Sequence, residues 1–141
     1  MKMFNRTIAF GILLAVMAAA PAFANTMAPK DTVDAIESWL LIVDQGDYSK
    51  SYDEGAQYFK NAVTSDKWQE SLMAFRKPLG AVLSRKIIES EDVKTLPGAP
   101  DGDYVIARYK TSFENKSEGE ETVTFMLDKD AQWRVAGYFI K

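Results

Sequence analysis

Beyond residue 24, hydrophobic positions first follow a helical spacing. Val33, Ile36, Leu40 and Val43 recur at intervals of three and four, with Trp39 beside them. That is one face of an amphipathic helix, predicted to run to about Gln45. Asp31 can cap its start, and Gly46 can stop it in a left-handed conformation. A second helical piece, about Ser49 to Val63, places Tyr52, Ala56, Phe59 and Val63 on one face. Ser65 caps a third, in which Trp68, Leu72 and Phe75 are four and three apart, before Pro78 and Gly80 end or bend it.

The pattern then turns to alternation. Arg85 to Ile88 reads as part of a strand, and Leu96 to Gly102 is a connection rich in Pro and Gly. Tyr104 to Phe113 is a strand in which Val105, Ala107, Tyr109, Thr111 and Phe113 share a face. Glu114 to Glu118 makes a polar turn, Glu121 to Leu127 a further strand, and Asp128 to Asp130 a tight hairpin turn. In the last strand, Gln132 to Ile140, the residues Trp133, Val135 and Phe139 alternate with Ala136, Tyr138 and Ile140. Apolar residues on both faces predict a central, doubly covered position. Helices first and an antiparallel sheet second make an α+β domain, with N-terminal helices packed on four strands.

Residues 1–24 stand apart. Lys2 and Arg6 precede an unbroken run of 13 apolar or Gly residues, Ile8 to Ala20, and Ala22-Phe23-Ala24 follows Pro21. This is the pattern of a secretory signal peptide, with cleavage expected between Ala24 and Asn25. The run falls short of the roughly 20 apolar residues that span a bilayer. The chain thus divides into a leader at 1–24, a polar tether at 25–34 and one domain at 35–141. No cysteine is present to take a lipid, so the mature protein is expected in the periplasm or secreted, without a membrane anchor.

Composition sharpens this picture. The 141 residues hold 17 Lys plus Arg and 20 Asp plus Glu, a net charge of -3, with no Cys and no His. Two of the basic residues and none of the acidic ones lie in the leader, which leaves the rest more acidic still. An acidic balance without a basic stripe argues against nucleic acid as a partner. Without Cys or His there is no disulfide, no thiol or His-based catalysis and no Cys/His metal site. No cofactor is expected.

Several signatures occur in succession: Trp39-x4-Asp44-x-Gly46-x-Tyr48, Arg76-x-Pro78-Leu79-Gly80-x3-Ser84-Arg85, Leu96-Pro-Gly-x-Pro-Asp-Gly-x-Tyr104, Thr111-x-Phe113-x-Asn115-Lys116, Glu121-Thr122 and Trp133-Arg-Val-x-Gly-Tyr138. Together they resemble the uncharacterised bacterial domain-of-unknown-function family numbered four-zero-one-nine, over about Ala35 to Lys141. The resemblance implies a cone-shaped α+β fold similar to nuclear transport factor 2-like and cystatin-like scaffolds, in which a curved sheet wraps around helices and often leaves a pocket. It supplies no catalytic residues.

The candidate chemistry is sparse. Asp101 and Tyr104 flank a rigid turn that either sets the entry to a strand or forms a rim presented to a ligand. Asp101 and Asp103 supply too few oxygens for calcium. Arg76, Arg85 and Arg134 each carry a planar fork of donors suited to a carboxylate or phosphate. Arg85 or Arg134 can cross a sheet face to meet Glu121 or Asp44, which leaves two readings open: an ion pair that positions helix against sheet, or an anion-binding arginine in a cleft. Trp39, Trp68 and Trp133 lie on apolar faces. Asp44, Asp53 and Glu54 could supply a catalytic carboxylate, but no motif demands one. The leading expectation is a non-enzymatic module that binds a small molecule or an envelope protein. The alternatives are an oligomer-forming interaction domain and a small carboxylate enzyme.

Overall fold

The computed structural model describes residues 28–141, so the leader and its cleavage point lie outside the described residues. Among the described residues, four α-helices and a short 3-10 turn at Lys77–Leu79 precede four strands. The α-helices and strands are α1 (Lys30–Asp44), α2 (Tyr48–Asp53), α3 (Gln57–Ala62), α4 (Ser65–Phe75), β1 (Val82–Val93), β2 (Tyr104–Phe113), β3 (Lys116–Leu127) and β4 (Trp133–Ile140). The strands form one open antiparallel sheet in the order β1-β2-β3-β4. Each strand pairs with its neighbour in sequence, and both β1 and β4 are edges. The fold is α+β.

Helix α1 buries Ile36, Trp39, Leu40 and Val43, the face its spacing implied. It starts at Lys30, so residues 30–34 are its first turns rather than tether, and Pro29 occupies the cap position expected for Asp31. Its end is a paired left-handed turn. Gly46 has φ 81°, its N–H bonds the Val43 carbonyl at 2.9 Å, and the next N–H, of Asp47, reaches back to Ile42 at 3.2 Å. These bonds satisfy carbonyls that a helix end would otherwise leave open.

The stretch 49–63, expected as one helix, is two. Between α2 and α3 the chain straightens at Gly55 and Ala56, and the Ala56 N–H donates to the Val135 carbonyl at 2.9 Å. That bond lays the break against the edge of β4. Helix α4 buries Trp68 and Leu72 but leaves Phe75 63% exposed, so the third position of that apolar face looks outward. Thr64, not Ser65, caps this helix by accepting from the Lys67 N–H.

In β2 the alternation is borne out in full: Val105, Ala107, Tyr109, Thr111 and Phe113 are all buried under the helices. Strands β1 and β3 are longer than expected, because their polar outer residues hide the period from a search for apolar ones. For β4 the central position is wrong. The register shifts between Thr124 and Phe125, so Val135 and Tyr138 both face the core despite their odd spacing. A bulge of one residue changes the face on which later side chains emerge. This puts Phe139, 44% exposed, on the outer face of an edge strand.

The core is aromatic at the helix–sheet contact. Trp39 meets Tyr138 edge-on at 5.3 Å between ring centroids, and Phe59 meets Trp68 at 4.8 Å and 87°. Both indoles end on one buried serine: Trp39 donates to the Ser51 carbonyl and Trp68 to Ser51 Oγ, each at 3.0 Å. A Cβ at Gly55 would stand 2.5 Å from the ring of Phe59, itself wedged against Tyr52 and Trp68. Gly55→Ala is therefore expected to cost about 1–3 kcal/mol, as overpacking does, with the loss read from the midpoint of urea unfolding.

Candidate functional site

Two features meet where α1, α4 and the sheet converge. The first is a polar network on the covered face. Arg85 lies opposite Thr111 in the β1-β2 ladder, and Tyr109 lies opposite Glu121 in the β2-β3 ladder. All point inward, which brings Arg85 and Thr111 to the Glu121 carboxylate. Arg85 Nε donates to Glu121 Oε1 at 2.8 Å and its Nη2 to Oε2 at 3.2 Å. Its Nη1 and Nη2 also reach both oxygens of Asp44, at 2.7 and 2.9 Å. Thr111 donates to Glu121 Oε1 at 2.6 Å, and the Tyr138 hydroxyl donates to Oε2.

Glu121 is fully buried and accepts four hydrogen bonds, which saturates its carboxylate. Burial works against the charge of Arg85, but the hydrogen bonds to Asp44 and Glu121 outweigh it and hold the guanidinium above its ordinary pKa. Burial, followed by the Glu121 charge, pushes the Tyr138 hydroxyl well above its usual range. Tyr109 moves the same way, from burial and then from the charge of Glu37, to which its hydroxyl donates.

The second feature is a groove of about 390 Å³ between α4 and the end of β4. Leu72, Phe75, Leu79, Phe139 and Ile140 make its walls apolar, and Arg76, Lys116 and Lys141 supply its charged groups. Arg76 joins the two features. It lies at the end of α4, 3% exposed, with its guanidinium carbon 4.7 Å from the centre of the Phe113 ring. Nη1 donates to the Gly80 carbonyl at 2.7 Å and Nη2 to Asp44 at 3.2 Å. Its Nε is buried without an acceptor.

The structure therefore brings together Arg76 and Arg85, and leaves the other candidates elsewhere. Tyr104 starts β2 while Phe113, under Arg76, ends it, and a strand of that length separates them by roughly 30 Å. The Tyr104 hydroxyl donates to the Pro100 carbonyl, and Asp101 is exposed in the same turn. Arg134 pairs with Asp130 at the same end as Tyr104, beside a smaller cavity of about 190 Å³ lined by Trp39, Phe125 and Trp133. Reasoning from sequence named Glu121 and Asp44 as partners for a strand arginine, and Arg85 takes both. It missed Thr111 and Tyr138, which are hydroxyls on faces already assigned to the core. A pocket was implied by the resemblance, but its place between α4 and β4 was not. Its signal was the surplus of apolar residues in β4 that the bulge sends to two faces.

The convergence has a sequence counterpart: Asp44, Arg76, Arg85, Thr111, Glu121 and Tyr138 all fall within the signatures that carried the resemblance. The family model described as a protein of unknown function (DUF4019) matches residues 35–138. The chain belongs to the DUF4019 family. No curated protein matches it significantly. Within this DUF4019 domain, these six motif residues make the network that joins the first helix to the sheet.

Removing Arg85 leaves Glu121 buried without its counter-charge, a loss of about 3–5 kcal/mol for a broken buried pair. Arg85→Met should lower the urea midpoint accordingly, and adding Glu121→Gln should restore part of it. The tyrosines give a pH test. The ordinary tyrosine value is 10.0, and that of Tyr138 is raised on folding. The unfolded chain therefore loses this proton first. Its contribution is intact below pH 10 and falls by about 1.4 kcal/mol per pH unit above it. Tyr138→Phe should flatten the alkaline decline when stability is followed by urea unfolding across that range.

Proposed function

We propose that this DUF4019 protein is an exported, non-enzymatic binding module, and that its ligand occupies the groove between α4 and β4. The observation that carries this reading is the groove itself: apolar walls, cationic side chains and no Asp or Glu among its lining residues, with a buried Arg76 Nε that lacks an acceptor. Pockets of this size, apolar with a few placed polar groups, suit a ligand with an apolar body and an acidic group. Export to the periplasm or medium is supported by the leader pattern of residues 1–24. A non-enzymatic role is supported by the network. Arg85 makes four hydrogen bonds to Asp44 and Glu121, and the Glu121 carboxylate is saturated. Neither charge is left to act on a substrate.

Ser71 lines the groove, and Ser71→Trp would fill it from the helix side. The mature chain is expected to bind the anionic apolar dye anilinonaphthalene sulfonate at one site. Ser71→Trp should weaken that binding by about tenfold or more, as loss of roughly 1.4 kcal/mol of contact does, with the melting temperature unchanged. Dye binding that survives the substitution would overturn the assignment.

A further inference from the structure

Four consecutive residues of β4 and its end, Tyr138 to Lys141, line the groove. Successive strand side chains point to opposite faces, so a groove that touches all four reaches both faces of β4 at its open edge and its end. That edge carries unpaired backbone. Lys141 exchanges both hydrogen bonds with Glu120, at 2.9 and 3.0 Å. Antiparallel alternation then turns the N–H and C=O of Ile140 and Tyr138 away from β3. Neither backbone has another partner among the described residues. Upstream, the same edge already takes a partner, because the Val135 carbonyl accepts from Ala56 across a parallel bridge.

Resting on the reading that this groove is the binding site, we infer that its ligand is an extended polypeptide segment. The segment adds to β4 as a fifth strand, sends alternate apolar side chains between α4 and β4, and places an acidic group at Lys116. The backbone decides between this and an alkyl chain. A hydrocarbon lying on the edge strips water from the Tyr138 and Ile140 groups and returns no hydrogen bond. Each group buried unpaired weakens binding by about fivefold or more. An extended peptide supplies both donor and acceptor, as in other cases of strand addition. Lys116 sits on the part of β3 that continues beyond Lys141 in the ladder. Its ammonium has no ion-pair partner among the described residues, so a carboxylate past the end of β4 meets an uncommitted cation.

The test uses the mature chain with three probes: an alternating Val-Thr octapeptide ending in glutamate, the same peptide N-methylated on alternate residues in either phase, and dodecanoate. The parent peptide should bind and slow exchange of the Tyr138 and Ile140 amides by about tenfold or more, the signature of newly formed backbone bonds. One methylation phase should weaken binding by about tenfold or more, and the other should leave it nearly intact, since only one edge of the peptide faces β4. Lys116→Glu should weaken the glutamate peptide and favour one ending in lysine, with the melting temperature checked for both proteins. Equal effects of the two methylation phases would overturn the strand addition. Binding of dodecanoate but not of peptide would overturn the peptide while keeping the groove as the site. Failure of dye, peptide and dodecanoate together would overturn the groove. A dimer by light scattering that excludes the peptide would assign the edge to a second copy and overturn the inference.

Discussion

Glu121 lies on the covered face of the sheet with no exposure, and a carboxylate there is tolerable only if something replaces its water. Arg85 does so from β1, Thr111 from β2 and Tyr138 from β4, so one charge draws on every strand of the sheet. Arg85 then turns its remaining donors to Asp44 at the end of α1. The helix layer is thus fixed to the sheet at a point where hydrophobic packing alone would leave orientation free. Ion pairs of this kind are weak sources of net stability, because desolvation offsets most of the attraction. What they supply here is placement: Asp44 meets Arg85 only if α1 crosses the sheet at this position.

The same arrangement accounts for the groove. Arg76 uses two donors on Asp44 and Gly80 and rests on Phe113, which holds the end of α4 close to the network. The chain must leave α4 through Pro78 to reach β1, so the helix ends beside β4 without covering its last residues. Phe75 and Phe139 border the resulting space from opposite sides. The Ala56–Val135 bond closes the upstream part of that edge and leaves the downstream part to the groove.

Much of this was legible in the residues where one rule acted alone. Helix α1 showed its buried face and its stop at Gly46, and β2 showed strict alternation, because a single period governs each. The reading failed where a second constraint intervened. The chain between α2 and α3 straightens to bond β4, a tertiary demand that the helical spacing of Tyr52, Ala56 and Phe59 does not reveal. In β4 one inserted residue reverses the faces, so a two-sided apolar pattern describes a bulged edge rather than a covered centre. Glu121 and Asp44 could be named as partners for Arg85 because charges on apolar faces need counter-charges. Thr111 and Tyr138 could not, since a hydroxyl on an inward position is unremarkable until a carboxylate lies within reach of it.

The sheet is a simple meander in which each strand pairs with its predecessor, and the last two hairpins close across short connections while residues 94–103 join β1 to β2. Asp44 and Arg85, by contrast, are 41 residues apart. Hairpins with short loops form cheaply in conformational entropy, whereas the helix–sheet joint must wait until both layers exist. The ionic joint is therefore expected to form late in folding and, in reverse, to open early in unfolding. Its influence falls on how long a folded molecule persists more than on how quickly one is made. Resistance to proteolysis is thus expected to be tunable at this joint without altering the path by which the sheet assembles.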